Sequence, residues 1–164
     1  GQFDTLRITR LISQLDDSRL IDHASGWSDH GVGDYYSRHM YYQKIKFYQR
    51  LASRRIAALT EYGGYSLPIE DHRYNDDKMF GYKSFDTLEG YQNALEDLFL
   101  KKIMPNLDKG LSILVYTQFS DVEDEVNGLV TYDRRILKVN EQAMQHLNNQ
   151  LYSKFKQIVN LEDR

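Results

Sequence analysis

An α/β fold built on a parallel sheet is what this sequence predicts, and three observations predict it. Two short apolar runs, Ile56-Ala57-Ala58-Leu59 and Leu111-Ser112-Ile113-Leu114-Val115-Tyr116, read as strands covered on both faces. Helical stripes accompany them: Leu88, Tyr91, Leu95, Leu98, Phe99 and Ile103 lie between the runs, and Met144, Leu147, Leu151, Phe155 and Ile158 follow the second. The expected order, helix, strand, strand, strand, helix, strand, helix, suits parallel strands joined by crossover helices. No internal repeat or linker divides residues 1–164, which form one unit.

Composition narrows the function classes. A formal net charge of −3 makes no electrostatic case for nucleic acid or an anionic membrane surface. No apolar run approaches the length of a transmembrane helix, and no signal peptide is evident. Cysteine is absent, which excludes disulfide and thiol chemistry and leaves the compartment open. Thirteen tyrosines accompany only two prolines. A tyrosine offers a flat ring and a hydroxyl, as carbohydrate clefts do, although core packing explains the count equally well. The chain begins Gly1-Gln2-Phe3 without methionine, so it is expected to be a piece of something longer.

Taken in order, residues 4 to 15 read as an amphipathic helix. Asp4 is its N-cap, and Leu6, Ile8, Leu11, Ile12 and Leu15 form the apolar stripe. Arg19 to His23 reads as a short strand. The loop Ala24 to Asp34 holds three glycines and Trp27, the sole tryptophan, which is either a packing residue or a ligand platform. Tyr35 to Tyr42 reads as a strand leading into a loop or as the start of a helix, a short strand ending near His39 being favoured, and His39 is either a structural histidine or a ligand contact. Gln43 to Arg55 reads as a solvated crossover. The run from Ile56 then ends in Glu61, followed at once by Tyr62-Gly63-Gly64. Function in parallel α/β proteins gathers at the carboxyl ends of strands, yet Glu61 reads equally as a solvated residue opening a loop.

The polar stretch Tyr65 to Lys83 is long enough to be functional or mobile, and its Glu70, Asp71, His72, Asp76 and Asp77 fit no zinc or EF-hand spacing. A second helix is expected to start near Asp86, with Glu89 placed for a capping box, Pro105 breaking or kinking its last turn and Gly110 beyond its end. The second apolar run opens into the acidic stretch from Phe119 to Gly128, and Asn140 caps the final helix.

Several stretches resemble the catalytic barrel of glycoside hydrolase family 2, which includes β-galactosidases, β-glucuronidases and β-mannosidases. They are Gly1-Gln2-Phe3-Asp4-Thr5, Ser18-Arg19-Leu20-Ile21-Asp22, Ala24-Ser25-Gly26-Trp27, His39, Thr60-Glu61-Tyr62-Gly63-Gly64 and Tyr116-Thr117-Gln118. The run Asp121 to Leu129, with Thr131-Tyr132-Asp133-Arg134, is similar to that of a bacterial subgroup, which leaves cytoplasm and periplasm both open. The likeness spans nearly the whole chain; each motif is weak alone, and their order and spacing carry the signal.

The resemblance implies the C-terminal half, strands 5–8, of a (β/α)8 TIM barrel, with strands near 20, 37, 57 and 114. It makes Glu61 the nucleophile of a retaining glycosidase acting on O-glycosidic bonds. His39, Trp27, Tyr116 and Gln118 become substrate-binding residues, although Gln118 stands where the family often offers an aromatic ring. No metal and no cofactor are implied. The acid/base glutamate is expected just upstream of Gly1, so the fragment alone is expected to be inactive. Asp121, Glu123, Asp124 and Glu125 would contact sugar hydroxyls or form a solvated acidic loop, the latter for most of them. The implied partners are a carbohydrate substrate, the N-terminal half of the same barrel and, for the isolated fragment, a second copy in a homodimer; nucleic acid and membrane are not among them. A non-catalytic carbohydrate-binding relative and a structural or interaction module are the competing readings.

Overall fold

The computed structural model describes residues 3–24, 26–41, 45 and 54–162, with side chains to Val159. Helix α1 (Thr5–Leu15) precedes strands β1 (Tyr35–Met40) and β2 (Ile56–Gly63). A two-residue pair follows, β3 (Tyr65–Ser66) and β4 (Lys83–Ser84). Helix α2 (Leu88–Asp97) runs into a π-helical stretch, Leu98–Ile103, and a last α turn, α3 (Met104–Leu107). Strand β5 (Leu111–Thr117) and helix α4 (Glu141–Glu162) complete the chain.

The strands β1, β2 and β5 form one parallel sheet in the order β1-β2-β5, so the fold is mixed α/β with parallel strands. Helices pack on one face of it. Tyr36, Met40, Ala57, Leu59, Tyr62 and Leu111 from the sheet meet Tyr91, Leu95, Leu98, Phe99, Ile103, Leu147 and Leu151 from the helices. Burying these side chains together is the main favourable term for the domain, at about 1.5–3 kcal/mol for each large one. Two members of the expected helical stripes stay outside: Leu88 and Phe155 are exposed.

Three local expectations are corrected. Arg19 to His23 is not a strand. Its Ile21 N–H donates to the Asp34 carboxylate at 2.7 Å and its carbonyl accepts from Asp34 N at 2.9 Å, so one residue occupies both ladder groups and no neighbouring strand is recruited. Asp4 stands at the N-cap of α1 in a left-handed conformation, and its carboxylate pairs with Arg7 instead of capping the backbone. Helix α2 starts near Asp86 as expected, at Leu88, but its cap is Thr87, whose hydroxyl accepts from Gly90 N at 3.1 Å, and not the expected capping box with Glu89.

Pro105 acts as expected on its helix. Without an N–H and with a ring that crowds the preceding turn, it cannot continue α-helical bonding, and the chain widens into the π stretch just before it. On α1 the apolar stripe faces outward, with Leu6, Ile8, Leu11, Ile12 and Leu15 exposed while Thr5 and Thr9 are buried. The crossover expected over Gln43–Arg55 lies outside the described residues except at Ile45, Arg54 and Arg55.

Candidate active site

The position of Glu61 follows from a bulge. Side chains of a strand alternate between faces, yet Ala57, Leu59 and Tyr62 all belong to the helix-covered core. Leu59 and Tyr62 are three residues apart, so regular alternation cannot place both there. The pairing explains it: Arg38 is opposite Leu59 and the next residue, His39, is opposite Glu61, leaving Thr60 as the extra residue. The register of β2 on β5 also shifts between Leu59 and Tyr62. Such a bulge re-aims side chains. It turns Thr60 and Glu61 together to the face away from the helices, where Ser37 Oγ lies 2.6 Å from Thr60 Oγ1 and His39 Nδ1 lies 3.0 Å from Glu61 Oε2.

Two side chains from the end of β1 converge on that carboxylate. The Tyr41 hydroxyl donates a hydrogen bond to Glu61 Oε2. His39 Nδ1 approaches the same oxygen at 3.0 Å without hydrogen-bonding alignment. Burial lowers the pKa of His39 against the opposing pull of Glu61, which favours a neutral imidazole. Burial first, and then the carboxylate itself, push the Tyr41 phenol far above its ordinary range, so it remains a donor. Both contacts fall on Oε2; among the described residues none falls on Oε1.

Aromatic rings enclose this centre. The loop after Ile21 reaches β1 through Gly26, whose carbonyl accepts from His39 N at 3.1 Å. Gly26 has φ +93°, and a Cβ there would sit 1.9 Å from the His39 ring, so only glycine admits the approach. Trp27 follows, edge-on to His39 at 5.3 Å and roughly parallel to Tyr41 at 6.1 Å, with two thirds of its surface in solvent. Tyr41 in turn stacks on Tyr82 at 3.8 Å and 15°. Gly64, at φ +65°, lets the backbone pass beneath that stack.

The sequence-predicted site residues therefore divide. Glu61, His39 and Trp27 come together. Tyr116 lies on the other face: it pairs with Tyr62 across β2 and β5, meets that ring edge-on at 5.5 Å and fills the space a Cβ of Gly63 would need. Burial raises its phenol well above the usual range. Gln118 leaves the strand for a polar cluster, its amide donating to Asn127 Oδ1 at 2.6 Å and to Glu125 Oε2 at 3.2 Å. Tyr41 and Tyr82 escaped the sequence reading. Tyr41 had a signal, being two residues after His39 and hence on its face if the strand continues; Tyr82 arrives from a long loop with none.

That loop is tied down rather than free. His72 Nδ1 lies 2.8 Å from Asp133 Oδ2, and Tyr74 packs against Tyr132 at 5.2 Å. Beneath them Lys138, fully buried, donates to both oxygens of Asp121 at 2.8 and 3.0 Å and to the carbonyls of Leu67 and Val126, each at 3.0 Å. Asp121 also accepts from Gly128 N at 2.8 Å. The acidic stretch is thus mixed: Asp121 is interior, Glu123 is exposed, and Asp124 and Glu125 are half-buried. Among the described residues no group of three or more His, Asp or Glu side chains could hold a metal ion. An apolar groove of about 490 Å³ between β5 and α4, lined by Leu111, Leu114 and Phe155 among others, shares no residue with this centre. No protein-family model matches the chain, and no curated protein matches it.

Proposed function

We propose that the chain is the C-terminal half of a (β/α)8 glycosidase barrel, to which β1, β2 and β5 contribute three strands, with Glu61 as the nucleophile of a retaining enzyme acting on β-linked sugars. The observation that carries this reading is the Glu61 carboxylate near the end of a buried parallel strand, hydrogen-bonded at one oxygen by Tyr41 and approached there by His39, beside an exposed tryptophan. A carboxylate fixed in this way can attack an anomeric carbon, and the Tyr41 hydroxyl, always protonated, stabilises its charge before attack. Trp27 offers a flat apolar face to a sugar ring. Tyr116 supports the site from behind, as packing under Gly63.

Retention requires a second carboxyl about 5–5.5 Å away, acting as acid and then base. In this reading it comes from a strand of the other half-barrel, outside these residues, and the isolated chain does not turn over. The outward-facing stripe of α1 is surface that the other half would cover. By itself the chain would pair with a second copy, and sedimentation velocity at micromolar concentration should show a dimer; a stable monomer would count against the half-barrel.

The decisive experiment treats the protein containing both halves with 2-deoxy-2-fluoro aryl β-glycosides and maps the labelled peptide by mass spectrometry. Label on Glu61, with Glu61→Gln abolishing hydrolysis, is the expected result. Undiminished hydrolysis by Glu61→Gln would remove the assignment. Sugar binding without turnover would favour a non-catalytic carbohydrate-binding protein, and neither binding nor turnover a structural or interaction module.

A further inference from the structure

His23 stands at the root of the loop that brings Gly26 and Trp27 to His39, and its side chain is only 1% exposed. Its Nε2 accepts a hydrogen bond from the His30 N–H at 3.0 Å, which ties the far side of that loop back to its start. An imidazole nitrogen that accepts carries no proton, so the neutral ring is the Nδ1–H tautomer. Nδ1 is itself buried and has no hydrogen-bond partner among the described residues. Gly33 covers it: a Cβ there would lie 3.2 Å from Nδ1 and 2.7 Å from the Ile21 carbonyl oxygen.

A second proton fits this pocket badly. On Nε2 it would point at the His30 N–H, setting donor against donor where a bond now closes the loop. The neighbouring charges do not reverse that. Asp29 Oδ1 lies 3.4 Å from Nε2, but it already accepts from Arg55 at 2.7 Å and from Gly31 N at 3.0 Å. Arg55 opposes a further positive charge, Asp22 favours one, and the His30 ring stands edge-on at 6.1 Å. The Asp34 carboxylate is engaged with the Ile21 N–H. Burial is the largest influence; it outweighs the pull of Asp29 and lowers the His23 pKa from the ordinary histidine value.

We infer that His23 is a proton-sensitive latch on the Trp27 loop: protonating its ring breaks the His30 bond and releases the segment that seats Gly26 and Trp27 against His39. What leaves with the loop is the Gly26 carbonyl on His39 N, at 3.1 Å, and the Trp27 ring edge-on to His39 at 5.3 Å. The latch stands whatever reaction Glu61 performs. Its sign follows from the two states. The closed loop keeps the ring neutral and the open loop lets it take a proton, so opening is favoured as pH falls through the ordinary histidine range.

NMR of the full 164-residue chain tests this between about pH 7.5 and about pH 5, where histidines are the side chains that ordinarily titrate. Long-range 15N–1H spectra should show His23 as the Nδ1–H tautomer at the upper end. Protection of the His30 amide against exchange, corrected for the intrinsic rate, should fall about tenfold from about pH 6 to about pH 5, one proton being taken up on opening. The indole cross-peak of Trp27, the sole tryptophan, should move with it. His23→Gln supplies an acceptor that cannot be charged and should keep the protection level, whereas His30→Gln, which retains the backbone N–H, and His39→Gln should leave the fall in place. An Nε2–H tautomer, level protection in the wild type, or a fall that survives His23→Gln would overturn the latch. So would loss of the far-UV helical signal over the same range, which would make the opening global. Where His23→Gln does not fold, the wild-type tautomer and protection decide by themselves.

Discussion

The Tyr41 hydroxyl donates to Oε2 of Glu61, joining the end of β1 to the end of β2 through their functional groups. The bond orients a carboxylate that would otherwise sample several rotamers. Tyr41→Phe keeps the buried ring and removes only the donor. On the proposed glycosidase reading, kcat of a protein containing both half-barrels should fall by about 10²–10³-fold, the effect of losing one preorganised donor at a reacting centre, with an unchanged melting temperature. A matching loss of stability would make Tyr41 a packing residue only.

Two glycines in the left-handed region differ in what they tolerate. Gly64 has φ +65°, and a Cβ there would lie 2.5 Å from the Tyr41 ring and 2.6 Å from that of Tyr82. Gly31 has φ +70° with nothing within 4 Å. Both alanine variants carry left-handed strain, of order 1–2 kcal/mol, but only Gly64→Ala must also part the Tyr41–Tyr82 stack. Urea unfolding should show Gly64→Ala as the more destabilised of the two, and its Trp27 emission should shift while that of Gly31→Ala does not.

Lys138 and Asp121 form a buried ion pair that unites the chain at Leu67, Val126 and Gly128. Burial pushes the Asp121 carboxyl up and the Lys138 ammonium down, each opposed by the charge of the other. Lys138→Met strands a carboxylate in the interior and should cost about 3–5 kcal/mol of stability. Replacing both, as Lys138→Met with Asp121→Leu, should recover much of that loss in denaturant melts. A double variant no better than the single one would place the stabilisation in the carbonyl contacts of Lys138 instead.

Acid should loosen the Trp27 loop through Asp29. Its carboxylate receives both arms of Arg55 at 2.7 and 2.8 Å and the Gly31 N–H at 3.0 Å. The Arg55 bonds, chiefly, bring its pKa down from 3.8 to about 2. A carboxyl depressed in the folded state stabilises that state above its unfolded pKa, and the contribution disappears as pH falls through the folded value. Wild type should therefore exceed Asp29→Asn in urea midpoint at pH 6, and the gap should narrow between pH 4 and pH 2. A gap that persisted unchanged at pH 2 would assign it to packing.

Local pattern carried much of this molecule. The apolar runs at 56–59 and 111–116 made β2 and β5 legible as strands, although β5 is not covered on both faces and leaves Val115 exposed; the stripe from Tyr91 to Ile103 located the central helix, and Pro105 marked where its hydrogen bonding must change. Such signals need only the ten or so residues around them, because strand and helix periodicity are properties of the local backbone. Where a cap or ladder group had a competing partner, local pattern misled: Asp34 took the backbone of Ile21, and Thr87 rather than Asp86 closed the helix.

By itself the sequence determined two apolar runs of strand character and favoured placing Glu61 near the end of one strand and His39 near the end of another. Only the tertiary structure decided that they face one another. That depends on Thr60 being an extra residue opposite β1, and a bulge exists only between two paired strands. The same pairing turned Tyr116 into the core with Tyr62, and the fastening of a distant loop brought Tyr82 onto Tyr41. Which face a side chain takes is set by counting residues between points of register, and that count belongs to the pair of strands rather than to either one.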